Sequence, residues 1–176
     1  MAMLTLWRHP KPRGAEGRCV GARTDLPVHP RKAKRLAHRI RAHARRHGLA
    51  RDVVTSPLAR AADVGRWLQR WGFRWRVDPA LAEMDFGAWD GRPWSAIPGA
   101  EFDRWMADFL RFDFDGGEAL TALLDRAANW QPTCALVVGH AGWIAARSWP
   151  TGVMPTPASW PRPLAYGRAT SIPSAA

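Results

Sequence analysis

The sequence predicts an α/β domain with a mainly parallel sheet, and two observations carry the prediction. Short strand-like segments alternate with longer segments of helical spacing, and strands connected by helices form parallel sheets. Residues 134–138 form an unbroken apolar run, as in strands buried on both faces. A length of 176 residues, with 47% hydrophobic and 23% charged residues, fits a single domain over 1–176 that needs no disulfide or metal to fold.

The first strand is predicted over 4–7 and ends at Pro10, which has no N–H to donate to a neighbouring strand. A loop then leads to a predicted helix over 31–47, which Gly48 would end. Apolar residues recur in this helix at the spacing of one helical face. They are Ala33, Leu36, Ala37, Ile40 and Ala44.

A second strand is predicted over 52–55, and a third over 73–77. Between them we expect a helix that Ser56 caps, with Pro57 at its first position and free backbone N–H groups that would attract an anion. The inner face of this helix would carry Leu58, Ala61, Ala62, Gly65 and Leu68.

The region 94–114 is predicted to be helical in parts, with Pro98 and Gly99 as interruptions. A further helix is expected over 119–130, with Leu120, Leu123, Leu124 and Ala127 facing the core.

The fourth strand is predicted over 134–138 and ends at Gly139 and His140. Prolines crowd the segment 150–176, where one last strand is expected near 164–172.

The charge balance is strongly positive. Twenty-six Lys and Arg residues against 15 Asp and Glu residues give a net charge of +11, which favours anionic partners such as nucleic acid or phosphorylated small molecules. No apolar stretch approaches the roughly 20 residues that a membrane span needs. Because Cys19 and Cys134 make no disulfide framework and the N-terminus lacks signal-peptide features, we expect a cytoplasmic protein with no membrane partner.

The basic segment 31–51 allows a second interpretation, in which the chain is a nucleic-acid-binding module. Against it, the apolar residues of this segment have core spacing and no aromatic residues interleave its charges. We therefore expect no specific nucleic-acid partner.

Cationic and imidazole side chains follow the predicted strands. Arg8 and His9 follow the first, Ser56 and Arg60 the second, and His140 the fourth. The carboxyl ends of parallel strands line the ligand crevice of an open α/β sheet, so these groups would meet there. Arginine binds phosphate oxygens two at a time, which makes a phosphoryl group the natural occupant.

These residues lie in motifs that resemble the histidine phosphatase, or phosphoglycerate mutase-like, superfamily. The motifs are LTLWRHP, TSPLARA, LAEMDFGAWDG and VVGHAG, in that order. The resemblance implies a three-layer α/β/α fold with a small helical lid insertion. It also implies that His9 attacks phosphorus and forms a phosphohistidine, that Glu83 is the general acid, and that Arg8, Arg60 and His140 hold the phosphoryl oxygens. No metal or other cofactor is expected.

Within this superfamily the sequence is most similar to the α-ribazole phosphatases of cobalamin synthesis. RCVGARTDLPV, FDGGEAL and AYGRAT carry the likeness, which implies α-ribazole 5′-phosphate as the substrate and Arg23 as a further substrate-binding residue. Pro10, Ala119 and Ala141 depart from the usual pattern.

Other interpretations remain open at this point. The enzyme could act on another small phosphate ester, it could be a phosphoglycerate mutase-like enzyme, or the chain could bind phosphate without catalysis. The expected partner is a small phosphorylated metabolite, and a second copy of the chain is a further candidate.

Overall fold

The computed structural model describes residues 3–174, in which five strands and five α-helices are formed. The strands are β1 Met3–Arg8, β2 Asp52–Thr55, β3 Arg74–Val77, β4 Leu136–Gly139 and β5 Ala169–Pro173. The helices are α1 Pro30–Arg46, α2 Ala59–Arg70, α3 Gly99–Ala107, α4 Leu120–Asn129 and α5 Ala141–Ser148. The strand order is β3-β2-β4-β1-β5, and all neighbours are parallel except β5, which runs antiparallel to β1.

Helices cover both faces of the sheet, so the predicted three-layer α/β/α fold is confirmed. Alternate side chains of each strand point to opposite faces. Val53 and Val138 pack with α1 and α2, whereas Leu6, Val54 and Val137 pack with α4 and α5. The predicted apolar face of α1 is buried throughout.

The register of the parallel strands brings the candidate site residues together. Arg8 on β1 pairs with Gly139 on β4, and Thr55 on β2 pairs with Val138. The N–H of His9 also donates to the Gly139 carbonyl at 3.1 Å. The residues that follow β1, β2 and β4 therefore lie side by side.

The start of α2 differs from the prediction. The helix begins at Ala59 with Leu58 as its N-cap, and Ser56 is not the cap because its hydroxyl accepts from the Leu58 N–H at 3.2 Å outside the helix. Asp25 accepts from the Ala59 N–H at 2.7 Å. The carboxylate of Asp25 therefore accepts from a backbone N–H group at the start of α2 that was expected to be free to bind an anion.

The region 94–114 is helical in parts, as predicted, with a short 3-10 helix over Trp94–Ala96 and the helix α3 on the two sides of Pro98. Pro98 is the N-cap of α3, and Gly99 is the first residue of α3 rather than a second interruption. Proline suits this position because the N–H groups at a helix start have no partner within the helix. The helix α5 was not predicted at all, and it starts directly after His140.

The connection between β3 and β4 contains α3 and then α4. The part that precedes α4, with α3 as its α-helix, is the small insertion that was expected from the sequence as a lid. An aromatic cluster holds it together around Trp89, which contacts Phe102, Trp105, Phe112 and Phe114 at centroid distances of 5.1–5.6 Å. The Trp89 indole also donates to Glu101 at 2.7 Å.

Gly65 on α2 allows the sheet and the helix layer to approach closely. The indole of Trp75 on β3 lies where a Cβ at Gly65 would be, and Trp75 donates to the Thr55 hydroxyl at 2.9 Å. We expect Gly65→Ala to lower the free energy of unfolding by about 1–3 kcal/mol, because the indole must move from this packed position. Urea denaturation measures this change.

Gly99→Ala is the matched control, since a Cβ there meets nothing within 4 Å. It should leave the unfolding free energy within about 0.5 kcal/mol of wild type. Equal stabilities of the two variants would contradict the close packing of α2 on β3.

Candidate active site

His9 is buried at the end of β1 with its ring held by its neighbour in sequence. The ring Nδ1 lies 2.7 Å from the Pro10 carbonyl oxygen. A carbonyl oxygen can only accept, so we assign the ring proton to Nδ1. The lone pair then lies on Nε2, which can act as a nucleophile.

The surroundings of His9 keep its ring neutral. Burial holds the pKa of His9 well below its ordinary value, the Arg60 charge lowers it further, and Arg8 contributes in the same direction. The hydrogen bond to Pro10 opposes these effects. A neutral imidazole is the form that can attack phosphorus.

Arg60 lies in the first turn of α2 and is only 1% exposed. Its guanidinium donates to the carbonyls of Thr24 at 2.8 Å and Gly21 at 3.0 Å. Burial lowers the pKa of Arg60, but a guanidinium stays charged at neutral pH. These carbonyls leave the Nε of Arg60 without a protein partner in the described chain.

Arg8 is fixed by the segment before β5. It donates to the Leu164 carbonyl at 2.6 Å, and its guanidinium lies 3.7 Å from the ring centroid of Tyr166. The Gly167 N–H donates to the carbonyls of Arg8 and His9 at 3.1 and 3.2 Å. Burial lowers the pKa of Arg8, and its Nε has no protein partner within residues 3–174.

His140 follows β4, and its ring centroid lies 4.9 Å from that of His9. Its Nε2 lies 2.8 Å from the Ser56 hydroxyl, which already accepts from Leu58 and is therefore free to donate. We assign the ring proton of His140 to Nδ1 on this basis. Burial holds the pKa of His140 well below its ordinary value, and the charges of Arg60 and Arg8 add to the effect.

Three buried nitrogens of this group share one property. Within residues 3–174, the Nε atoms of Arg8 and Arg60 and the Nδ1 of His140 are among five buried side-chain atoms that lack a hydrogen-bond partner. A buried donor without an acceptor costs about 1–3 kcal/mol, so such atoms cluster where a ligand binds. The three donors fit an anion with several oxygens, as a phosphoryl group has.

Glu83 lies between the lid and the start of α5. Its Oε1 accepts from the Trp143 N–H at 3.2 Å, and its Oε2 accepts from the Gly142 N–H at 3.2 Å. A Cβ at Gly142 would lie 2.5 Å from Oε1, so glycine is required for this approach. Among the ion pairs of the described residues, none involves Glu83. A carboxyl held by backbone N–H groups rather than by an ion pair is placed to exchange a proton with a ligand.

A cavity of about 500 Å³ opens at Arg8 and Glu83, whereas His9, Arg60 and His140 lie behind its wall and are not among its lining residues. Arg8, Glu83 and Tyr166 lie on its wall, and Arg18 is the other charged residue in the lining. The rest of the lining is mainly apolar, with aromatic rings from both the lid and the C-terminal segment. These rings are Phe86, Trp94, Trp105, Phe109 and Trp160. The cavity thus offers a cationic end and an aromatic wall.

Arg23 does not line this cavity. Its guanidinium pairs with Asp85 at 2.7 Å and donates to the Gly116 carbonyl at 2.6 Å. The structure brings Arg8, His9, Arg60, Glu83 and His140 together, but it places Arg23 at a neighbouring loop contact. A substrate-binding role for Arg23 stays a prediction.

Sequence reasoning missed the packing of Tyr166 on Arg8, and it brought Ser56 and His140 to the same edge of the sheet without predicting their hydrogen bond. Tyr166 is the single tyrosine of the chain and packs on Arg8, 158 positions away. Neither contact has a local signal, since each joins residues that only the tertiary fold brings together.

Among residues 3–174 no group of three or more His, Cys, Asp or Glu side chains could hold a metal ion, and no helix is long and apolar enough to cross a membrane. Both cysteines are free, and burial raises the pKa of Cys19 to about 12, which keeps it a thiol.

Comparisons with known proteins identify the family. Residues 4–166 match the histidine phosphatase superfamily (branch 1), and the chain belongs to this superfamily. The predicted enzyme class, a hydrolase of phosphate monoesters, is confirmed at this level. None of the curated protein sequences matches the chain.

Solved structures agree with this assignment. A phosphoglycerate mutase from Thermus thermophilus is 26% identical, with a TM-score of 0.69 over 97% of this chain and 92% of its own. The mycobacterial glucosyl-3-phosphoglycerate phosphatase is 25% identical, with a TM-score of 0.64 over 84% of this chain and 77% of its own.

The buried imidazoles predict a loss of stability in acid. His9 and His140 stay neutral in the folded protein but bind protons in the unfolded chain below an ordinary pKa of about 6.5. The unfolded state then binds more protons, so the free energy of unfolding should fall by up to about 2 kcal/mol between pH 6.5 and 5.5.

Urea denaturation of wild type and the His9→Asn/His140→Asn variant at several pH values measures this effect. The variant should lose this part of the pH dependence. Parallel curves for the two proteins would show that these imidazoles titrate normally in the folded state.

Proposed function

We propose that this protein is a phosphomonoesterase that works through a phosphohistidine on His9 and acts on α-ribazole 5′-phosphate. The observation that carries the reaction is the convergence of three unpartnered donors with the free Nε2 of His9. The donors are Arg8 Nε, Arg60 Nε and His140 Nδ1. Negative charge spreads over the phosphoryl oxygens in the transition state, and preorganised donors stabilise it there.

In the first step Nε2 of His9 attacks phosphorus and the P–N bond forms as the ester P–O bond breaks. The ester oxygen leaves with a proton that Glu83 supplies, so the alcohol departs neutral. The hydrogen bond from Nδ1 of His9 to Pro10 holds the ring in the required orientation.

In the second step water attacks the phosphoryl group on His9. Glu83 takes the proton of the water, the P–N bond breaks, and inorganic phosphate leaves with His9 neutral again. Two displacements replace one harder displacement, as in other covalent mechanisms. The sum is an ester plus water giving an alcohol and phosphate.

The aromatic wall of the cavity favours a substrate with a flat apolar group. Six aromatic rings border the cavity, whereas Arg18 is its one cation besides Arg8 among the lining residues. A benzimidazole ring can stack on such a wall, with its ribose phosphate directed toward Arg8 and His9. Phosphoglycerate, by contrast, would leave the aromatic surface uncovered. The sequence resemblance to α-ribazole phosphatases supports the same choice.

Phosphate release from a panel of esters tests the proposed substrate. We expect kcat/KM for α-ribazole 5′-phosphate to exceed that for 3-phosphoglycerate, glucosyl-3-phosphoglycerate and an aryl phosphate by at least about tenfold, worth roughly 1.4 kcal/mol in the transition state. His9→Asn should abolish every activity. A preference for 3-phosphoglycerate or glucosyl-3-phosphoglycerate would contradict the proposed substrate, whereas the proposed phosphohistidine reaction would still hold.

Trp94 gives a sharper test of the aromatic wall, because it is 37% exposed at the cavity edge. Trp94→Ala should raise KM for α-ribazole 5′-phosphate about tenfold by removing a stacking surface, and should leave 3-phosphoglycerate hydrolysis unchanged. Equal effects on both substrates would contradict stacking at this wall.

Glu83→Gln tests the proton donor. The amide has nearly the shape of the carboxyl but cannot protonate a leaving oxygen, so kcat for alkyl phosphates should fall about 100-fold or more. For an aryl phosphate with a good leaving group, the burst of alcohol in a rapid-quench experiment should be nearly unaffected. Loss of the burst with both esters would exclude Glu83 as the general acid.

A further inference from the structure

The outer surface of α1 carries a concentration of positive charge that the proposed reaction does not use. Residues 31–51 contain nine Arg and Lys residues and no Asp or Glu. None of these nine forms an ion pair within the described part of the chain. Two acidic residues on neighbouring elements are engaged elsewhere, since Asp52 pairs with Arg74 and Asp63 pairs with Arg66.

Three of these arginines meet in one groove. Arg41, Arg45 and Arg51 line a groove of about 400 Å³, with His38 beside them and Leu49 and Phe73 also lining it. No hydrogen bond to another residue of 3–174 engages the three guanidiniums. Unneutralised guanidiniums that share a groove form a site for phosphate groups.

Tryptophans of α2 border this charge. Trp67 and Trp71 are half-buried, with ring centroids 5.8 Å apart. The centroids of the His38 and Trp71 rings lie 4.3 Å apart with the rings tilted by 37°, and the Nζ of Lys34 lies 5.1 Å from the centroid of the Trp67 ring. No aromatic residue interleaves the charges within the segment 31–51, but α2 places these two rings beside them in the folded protein.

The charged positions form a line rather than a point. Lys34, His38, Arg41 and Arg45 are spaced i, i+4, i+7 and i+11, which places them along one stripe of α1 roughly 16 Å long. We call these four residues, with Arg51, Trp67 and Trp71, the basic track. The basic track is longer than a single phosphate group. Its length suits a polymer in which each phosphate is accompanied by a flat aromatic ring.

We propose that the basic track binds a single-stranded nucleic acid, with single-stranded RNA as the probe that tests it. Proteins that bind single strands combine a positive groove for the backbone with aromatic rings for the bases. Stacking on Trp67 and Trp71 needs unpaired bases, which a duplex does not offer. A membrane surface fits less well, because the large exposed hydrophobic residues of the described chain lie outside the track. They are Met3, Val77, Trp94, Met106, Val153, Met154 and Tyr166.

Fluorescence anisotropy with a labelled single-stranded RNA of about 12 nucleotides tests the proposal. The test variant is Arg41→Gln/Arg45→Gln/Arg51→Gln. The matched control is Lys32→Gln/Arg35→Gln/Arg46→Gln, which removes the same charge from exposed positions of α1 that lie off the stripe of the track. Both variants should keep wild-type phosphatase activity, which verifies their folding.

We expect the test variant to bind the RNA at least about tenfold more weakly than wild type, and the control to lose less than about threefold. The logarithm of the association constant should fall less steeply with the logarithm of the salt concentration in the test variant. The slope should decrease in magnitude by about 2, because three phosphate contacts are lost. A duplex of equal length should bind more weakly than the single strand.

Equal losses in the two variants would show a response to net charge alone and would overturn the proposal. Equal or tighter binding of the duplex, or of vesicles with anionic lipid, would do the same. Absence of RNA binding at about 50 mM salt would also refute it.

Discussion

The parallel pairing of β1 with β4 is the constraint on which the rest of the site depends. Its register sets Arg8 opposite Gly139, so His9 and His140 leave the sheet side by side with ring centroids 4.9 Å apart. A slip of one residue would turn the side chains of β1 to the opposite faces of the sheet. The apolar residues of both strands prevent such a slip, because Leu6 and Val137 are packed on one face and Val138 on the other.

The site gathers positive charge, and neither Arg8 nor Arg60 forms an ion pair within the described residues. Backbone carbonyls of Gly21, Thr24 and Leu164 stabilise the two guanidiniums, and they leave the buried Nε atom of each without a protein partner. Burial of these side chains disfavours their charged forms. It therefore lowers the pKa values of the two guanidiniums and of the His9 and His140 imidazoles. A dianionic phosphate ester would offset that cost on binding, so the same burial that keeps His9 nucleophilic also selects an anionic substrate.

Much of this fold could be predicted from the sequence, because its signals are local. The spacing of apolar residues predicts α1, and the unbroken apolar run predicts β4. Because the carboxyl ends of parallel strands line one crevice, the sequence also places Arg8, His9, Arg60 and His140 close together. Interactions between distant residues could not be predicted: the start of α2 depends on Asp25, and Glu83 holds the first turn of α5. The proximity of Trp71 to α1 likewise needs the packing of two helices.

Trapping the phosphoenzyme tests the central claim most directly. The protein is mixed with an aryl phosphate, quenched in alkali within the first turnover, and digested for mass spectrometry. The account predicts one alkali-stable, acid-labile phosphoryl group on the peptide that contains His9, and none in His9→Asn. Turnover without a phosphoenzyme, or a phosphoryl group on His140 instead, would contradict it.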